Sequence, residues 1–299
     1  MRNLSASCLI LLLLLSILPG CVPEQELLPD NFFMIEEGER PWVIAHGGSK
    51  QLFPENTMMA FQGSYEIGVD ALEMDVKISS DDTLVCHHDH DIDRMSDGSG
   101  PLNDYTLSEL KSFNFGDGFK DLNDHYPFKD TIIPICVLED VFKTFPGSYF
   151  VVEIKDREEL GKIAGEKLHD LIQKYNLQER IIVASFDDET LLHFRDISDD
   201  KVPVSASEKE ARQFVISSKA LVGVFYGPEA VAVQLPMEQA GLNLAKSHII
   251  SSAHRHNMAA HYWTINDPED MQLLIDLGAD GLITDRPDLM NELLDSLGY

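Results

Sequence analysis

The stretch "ALEMDVKIS", residues 71–79, alternates apolar residues with two carboxylates, and this pattern decides the fold. Three apolar side chains share one face of the predicted strand, while Glu73 and Asp75 share the other. Buried carboxylates cost several kcal/mol unless a cation or hydrogen bonds compensate them. The strand is therefore predicted to pack against helices on one side and to face a functional site on the other.

A similar arrangement recurs in three further strand-like runs: "WVIAH" (42–46), "LVCHH" (84–88) and "VVEIKD" (151–156). The inner face of each run becomes polar near its carboxyl end, with His46, His88, and the pair Glu153 and Lys155. In a (β/α) barrel, active sites are built at that end of the strands. The four runs together predict one site at the mouth of such a barrel.

Alternating strand-like and helix-period segments continue over residues 41–299, which are predicted to form one TIM-type (β/α)8 barrel domain. The strand-like runs are 42–46, 71–78, 84–88, 149–155, 180–185, 202–206, 231–235, 260–265 and 281–284. Nine runs exceed the eight of a barrel, and the gap between 78 and 84 is too short for a crossover helix. One run is therefore expected to be accessory. The polar, aromatic and Gly-rich residues 95–135 are predicted to be an insertion over one end of the barrel.

The amino terminus is predicted to be an export signal. Residues 1–20 have Arg2 near the start and then an apolar run that is short for a membrane span, as in a signal peptide. The following "LPGC" resembles a bacterial lipobox, which makes Cys21 the lipidated first residue and 21–40 a tether. The predicted location is the bacterial cell envelope, anchored to a membrane and facing outside the cytoplasm. A signal peptide with an incidental cysteine and an uncleaved anchor are the alternatives.

The composition is strongly acidic, with 51 Asp and Glu against 23 Lys and Arg and a formal charge of −28. Such a surface repels nucleic acid and anionic lipid headgroups, so a nucleic-acid partner is not expected. Cys86 and Cys136 lie in apolar runs and are predicted to be buried free thiols rather than a disulfide. The histidines of "HHDH", 87–90, do not predict a zinc site, because His87 and His88 face opposite ways.

Glu73, Asp75 and Glu153 are predicted to form a three-carboxylate site for one hard divalent cation, Mg²⁺ or Ca²⁺. The alternative is a salt-bridge network with Lys155, Arg94 or Lys77. A divalent ion beside a lysine and two histidines suits phosphate-ester chemistry. The cation and Lys155 would offset charge on a phosphate, and one histidine would accept a proton while the other donates one. Taken singly, either histidine could instead be a hydrogen-bonded core residue.

Seven segments occur in the order found in the glycerophosphodiester phosphodiesterase family, which this sequence resembles from about residue 42 to 290. They are "VIAHGGSKQLFPENTMMAF", "GVDALEMDV", "LVCHHDHDIDR", "VVEIKD", "VASFD", "YWTIND" and "GADGLITDRP". The resemblance implies a TIM barrel that hydrolyses glycerophosphodiesters to glycerol 3-phosphate and an alcohol. It implies catalytic roles for His46 and His88, and metal ligation by Glu73, Asp75 and Glu153. It also implies substrate contacts from Lys155, Glu55, Asn56 and Trp263. Ser185 and Phe186 match a strand-end pair, and the last segment, with Asp285, is interpreted mainly as structural.

One departure concerns the residue after the first histidine. The family usually has "HRG", whose arginine contacts the phosphate, whereas this chain has "HGG" with Gly47. A planar anion clamp is therefore missing. Either Lys155 and the metal suffice, or Lys50 or Arg94 substitutes for it. Two alternative functions remain: a related barrel phosphodiesterase that acts on a lipid headgroup, or a non-catalytic lipoprotein that binds phosphodiesters.

Overall fold

The computed structural model describes residues 31–36, 38–219 and 230–299. The predicted signal peptide, residues 1–20, lies outside the described residues, as does Cys21 with the first part of the predicted tether. Within the described ranges, no helix is both long and apolar enough to cross a membrane.

Strands and helices alternate along the described chain as the sequence predicts. The strands are β1 (Trp42–Ala45), β2 (Ala71–Ile78), β3 (Leu84–Cys86), β4 (Cys136–Val137), β5 (Tyr149–Ile154), β6 (Ile181–Ala184), β7 (Ala232–Leu235), β8 (Glu238–Gln239), β9 (Leu242–Asn243), β10 (Ala259–Tyr262) and β11 (Gly281–Thr284). The helices are α1 (Met58–Ile67), α2 (Leu107–Leu110), α3 (Leu138–Thr144), α4 (Glu158–Tyr175), α5 (Asp188–Ser198), α6 (Glu208–Lys219), α7 (Ser247–Arg255), α8 (Pro268–Leu277) and α9 (Pro287–Leu297). Thr57, Asp187 and Asp267 accept backbone hydrogen bonds at the starts of α1, α5 and α8, which fixes where these helices begin.

Parallel strands form a closed ring. β1 pairs with β2, β2 with β5 and β5 with β6, while β7, β10 and β11 continue the ring back to β1. Between β6 and β7, two parallel bridges close it, Val183 with Val204 and Ser205 with Ala232. The predicted (β/α)8 barrel is confirmed, but the predicted strand 202–206 is reduced to these bridges. Pro203 explains the reduction in part, because it has no N–H to donate to a ladder.

The accessory run is β3, which lies outside the ring. It pairs antiparallel with the end of β2 and with β4. The five residues between β2 and β3 allow only a turn, as predicted. Cys86 and Cys136 lie opposite each other on β3 and β4, and both are buried and free, as predicted. The predicted strand 84–88 ends at Cys86, so the two histidines that follow belong to a loop.

The chain between β3 and β4, residues 87–135, forms the predicted insertion and starts earlier than the expected residue 95. It contains α2 and has its own small core. That core consists of Ile92, Leu102, Leu110, Phe115 and Ile135, packed against Val85 of β3. The insertion is therefore a packed unit rather than an open loop.

The two faces of β2 have the environments that its pattern predicts. Its apolar face, with Leu72, Met74 and Val76, packs into the layer between the ring and the helices. Inside the ring, the amino ends of the strands are filled by apolar side chains, and the rings of Phe33, Trp42 and Tyr149 meet there in tilted and edge-on contacts at centroid distances of 4.7–6.1 Å. The polar side chains are left at the opposite, carboxyl end.

Candidate active site

Three carboxylates meet at the carboxyl end of the ring. Glu73 and Asp75 extend from β2, and Glu153 lies directly opposite Asp75 on the neighbouring strand β5. One oxygen of each carboxylate lies within 4.8 Å of the others. Glu73 and Asp75 are buried, at 5% and 1% exposure. The structure thus brings together the three residues that the sequence predicts as metal ligands.

The cluster is electrostatically strained. Burial and then repulsion from Asp75 raise the pKa of Glu73 to about 7. Burial also raises the pKa of Glu153, against the opposing charge of Lys155. Burial alone would raise the pKa of Asp75 as well, but the Lys50 and Lys155 ammonium groups outweigh it and hold that pKa well below its usual range. A site that raises the pKa of two of its three carboxylates calls for more positive charge than these side chains supply.

Backbone and amide groups orient the carboxylates. The Gly47 N–H donates to Glu73 Oε2. The Asn56 side chain donates from Nδ2 to Asp75 Oδ2 at 2.8 Å, and its Oδ1 accepts from the Asp75 N–H at 3.0 Å. Asn56 therefore fixes the orientation of the Asp75 carboxylate relative to its own backbone.

This donor set fits a hard divalent cation. All three ligands are carboxylate oxygens, the donors that Mg²⁺ and Ca²⁺ prefer, and one ion could contact them within ordinary metal–oxygen distances. A cation here would also relieve the repulsion that raises the pKa of Glu73. The ion itself is not identified by these residues.

Two lysines flank Asp75 from opposite sides. Lys155 Nζ lies 3.1 Å from Asp75 Oδ1 and 2.7 Å from Glu153 Oε1. Lys50 Nζ lies 3.5 Å from Asp75 Oδ2. Of the three cations named in the salt-bridge alternative, only Lys155 pairs with the cluster, and Lys50 is a further partner that the sequence did not predict. Lys77 instead pairs with Asp156, and Arg94 with Glu55 and Asp89.

His46 is held at its Nδ1 atom. It lies directly after β1, and its Nδ1 is 2.7 Å from Asp285 Oδ1. Asn266 donates to the other oxygen of Asp285 at 2.7 Å. Because a carboxylate can only accept here, Nδ1 carries the proton of the neutral ring and Nε2 presents its lone pair to Lys50 Nζ, 3.0 Å away. Burial alone would lower the pKa of His46, but the Asp285 hydrogen bond and the charge of Glu73 outweigh it and raise the pKa.

His88 is held in the same way from a different element. It follows the accessory strand β3 rather than ending a strand of the ring, which corrects the sequence interpretation of "LVCHH". Its Nδ1 lies 2.7 Å from Asp89 Oδ1. Arg94 donates to Asp89 at 2.6 Å and forms two hydrogen bonds to Glu55, so it ties the His88 loop to the loop after β1.

His87 points away from the cluster. It is 3% exposed, its Nε2 lies 3.1 Å from the Asp91 carbonyl oxygen, and its ring meets Phe115 edge-on at 5.7 Å. Adjacent histidines thus face opposite sides of the chain, the arrangement that argues against a zinc site in "HHDH".

A cleft with two lobes opens above the carboxylates. Both lobes are lined by His88, Glu153, Lys155, Ser185 and Phe186. The smaller lobe, about 500 Å³, is rich in charged groups. The larger lobe, about 890 Å³, adds His46, Lys50 and Glu73 at its base. It also has an apolar wall that includes Val215, Ile216, Leu235, Leu242 and Trp263.

The predicted substrate contacts divide into two groups. Lys155 and Trp263 line the cleft, and the Trp263 ring meets Phe186 edge-on at 6.1 Å. Among the described residues that line the two lobes, neither Glu55 nor Asn56 is found. Their side chains are engaged by Arg94 and Asp75, which suggests positioning roles rather than direct contacts with substrate.

The contact of Asp285 with His46 Nδ1 is one that the sequence interpretation missed. Asp285 directly follows β11, and the segment "ITDRP" was interpreted mainly as structural. The rule that polar residues at the carboxyl ends of barrel strands face the site would have found it.

The family model and the relative that match this chain name the same family, and the solved structures share its fold. A family model described as the glycerophosphoryl diester phosphodiesterase family matches residues 46–289. A glycerophosphodiester phosphodiesterase of Caldanaerobacter subterraneus subsp. tengcongensis is 32% identical over 84% of this chain and 97% of its own. A crystal structure of such a domain from Mycobacterium tuberculosis superposes with a TM-score of 0.73 at 19% identity, covering 86% of this chain and 100% of that one. An Oleispira antarctica phosphodiesterase in complex with the product sn-glycerol-3-phosphate gives a TM-score of 0.69 at 20% identity, covering 86% and 97%.

Proposed function

The chain belongs to the glycerophosphoryl diester phosphodiesterase family, and from that premise we propose that it hydrolyses glycerophosphodiesters to sn-glycerol 3-phosphate and an alcohol with the help of a divalent cation. It is an enzyme of the phosphoric diester hydrolase class. The observation that carries the proposal is the convergence of the carboxylate cluster, Lys155, His46 and His88 on one cleft. The Oleispira antarctica relative, which holds sn-glycerol-3-phosphate, supports the product.

Glu73, Asp75 and Glu153 would hold the cation. When bound, it supplies Lewis-acid stabilisation of the charge that develops on the phosphate oxygens. Lys155, held between two of these carboxylates, adds a fixed positive charge on the floor of both lobes. A phosphodiester that spans the two lobes would place its phosphate over this point, with one substituent in each.

The two histidines would move the protons. Each has its Nδ1 held by an aspartate, so each directs Nε2 away from that aspartate. One Nε2 takes a proton from the attacking water as its oxygen bonds to phosphorus. The other gives a proton to the ester oxygen as the phosphorus–oxygen bond breaks, so that the alcohol leaves neutral. Because the loops carrying the two rings are tied by Arg94 and Glu55, their separation is constrained before substrate binds.

Purified protein with Mg²⁺ or Ca²⁺ is expected to release sn-glycerol 3-phosphate and choline in equal amounts from glycerophosphocholine, and EDTA should stop the release. Enzyme-coupled assays for glycerol 3-phosphate and for choline measure the two products, and ³¹P NMR of the mixture follows the loss of the diester. A stable cyclic phosphate would instead identify a related lipid phosphodiesterase. Binding of glycerophosphocholine without turnover would identify a binding protein.

A second candidate is hydrolysis of a diester that carries one acyl chain. The observation that favours it is the apolar wall of the larger lobe, whose volume of about 890 Å³ lies near the upper end for small-molecule pockets. Ile216 and Leu242 in this wall are 63% and 46% exposed, so their side chains are accessible to an acyl chain. The same assay distinguishes the candidates: lysophosphatidylcholine should exceed glycerophosphocholine in kcat/KM only if the wall binds hydrocarbon.

We further propose that the enzyme is lipid-anchored in the bacterial envelope through Cys21, as the "LPGC" motif indicates. The wild-type protein should partition with membranes, and Cys21→Ser should move it to the soluble fraction or leave its signal uncleaved. Fractionation with mass spectrometry of the mature amino terminus measures this. Soluble wild-type protein without a lipid on Cys21 would contradict the anchor.

A further inference from the structure

The Lys50 side chain crosses Gly47, the residue after the first catalytic histidine. A Cβ atom added at Gly47 would clash with Lys50 Cε and would lie 3.1 Å from Cγ, a tight contact, so the lysine side chain would have to shift. Gly47 also has φ +51°, a left-handed conformation that disfavours a side chain. The stem of Lys50 thus occupies the space where a side chain at position 47 would start.

This path brings the Lys50 ammonium to the reacting groups. Nζ lies 3.0 Å from His46 Nε2 and 3.5 Å from Asp75 Oδ2, and the side chain is only 14% exposed. Lys50 lines the larger lobe of the cleft together with His46 and Glu73. Because Nε2 has one lone pair, an oxygen that hydrogen-bonds to it would displace the Lys50 ammonium and would lie within about 6 Å of the present position of Nζ.

Arg94, the other cation that could replace the missing arginine, already pairs with Glu55 and Asp89. It forms two hydrogen bonds to Glu55 and one to Asp89, at 2.6–3.0 Å. It is also absent from the described lining of either lobe. Moving it to a phosphate would release Asp89, which orients His88.

We propose that Lys50 binds the phosphate of the substrate, and that glycine is required at position 47 because the lysine stem passes over it. The inference rests on the proposed function and names a further substrate-binding residue of the same site. Lys50 replaces the arginine that the family usually carries next to the histidine. The replacement exchanges a planar fork for a single point charge, and Lys50 and Lys155 then flank the phosphate from the two sides of Asp75.

The first test measures binding of inorganic phosphate by calorimetry at saturating Mg²⁺. Lys50→Met keeps the stem and removes the charge, and it should weaken phosphate affinity at least about tenfold, as expected for losing a charge-assisted hydrogen bond. Lys50→Arg should stay within about threefold of the wild type. Lys120→Met, an exposed lysine on the insertion, makes the same change in net charge and should leave the affinity unaltered. Arg94→Met should affect turnover through His88 more than it affects phosphate affinity.

The second test is a double-mutant cycle through Gly47. Gly47→Ala adds the clashing Cβ without touching any charge, so it should displace the ammonium and reproduce most of the loss in affinity. In a Lys50→Ala background the space is free, and Gly47→Ala should then cost little further affinity. The backbone cost of alanine at φ +51° is common to both backgrounds and cancels in the cycle.

Equal losses for Gly47→Ala in both backgrounds would overturn the proposal, as would unchanged phosphate affinity in Lys50→Met. So would a wild-type protein that does not bind phosphate. Failure of the proposed function is a separate result, since it appears as absent turnover of the wild type on every diester tested.

Discussion

Replacing Glu73, Asp75 or Glu153 by its amide is expected to lower kcat at least about 10³-fold and to abolish the dependence of the rate on a divalent ion. The three oxygens lie within 4.8 Å of one another, so each amide removes about a third of the ligands that the protein offers. A 10³-fold loss corresponds to about 4 kcal/mol of transition-state stabilisation, the order supplied by a bound cation. Initial rates against Mg²⁺ and Ca²⁺ concentration measure this effect. Glu189→Gln, an exposed glutamate on α5, is the matched control.

In the metal-free protein, the Glu73→Gln substitution should preserve or raise stability, although it lowers the turnover of the metal-bound enzyme. The raised pKa of Glu73 means that the folded state binds more protons than the unfolded state between the ordinary value of 4.5 and about 7. The contribution of this group to stability is complete below pH 4.5 and is lost as the pH rises through about 7. Glu73→Gln should remove that loss, so at pH 8 with EDTA its Tm should equal or exceed that of the wild type.

For the rate experiment, near-normal rates in all three amide variants would refute the carboxylate site.

Removing either site histidine is expected to cost about 10² to 10⁴ in kcat, the usual contribution of general acid–base catalysis. His46→Ala and His88→Ala each leave one proton transfer without a partner. The double variant should lose much less than the product of the two factors, because the rings serve one cycle. Steady-state rates on glycerophosphocholine measure all three variants.

The leaving group and a neighbouring histidine sharpen this test. A p-nitrophenyl diester needs little protonation of its leaving oxygen, so it should partly rescue the variant that lacks the general acid and not the one that lacks the base. His87→Ala is the control, because His87 is buried against Phe115 outside the cleft and should lower Tm more than turnover. An inactive His87→Ala beside a fully active His88→Ala would show that the assignment is wrong by one residue.

The features that the sequence predicted are those encoded within a few residues. The alternation in β2 placed Glu73 and Asp75 on the inner face, and the same rule placed Glu153, because the side-chain period of a strand is local. The barrel also followed from local periodicity, and so did the accessory strand, since the short gap before β3 leaves no room for a helix.

The features that the sequence did not predict depend on contacts between distant segments. The hydrogen bond from His46 to Asp285 joins residues 239 positions apart. The tie between Arg94 and Glu55 exists only because the insertion folds back onto the loop after β1. The overlap of Lys50 with Gly47 is a steric fact, and no hydropathy pattern encodes which neighbouring side chain fills the space that a glycine leaves.

The insertion between the accessory strands β3 and β4 has a consequence for engineering. The barrel closes without it, so residues 87–135 could be exchanged as a cassette without breaking any hydrogen bond of the parallel ring. The cassette carries His88 and Arg94, whereas the recipient supplies Glu55. A graft from a relative would therefore transplant one histidine of the proposed acid–base pair along with one wall of the cleft, and it should work only where the recipient offers a carboxylate to pair with the arginine.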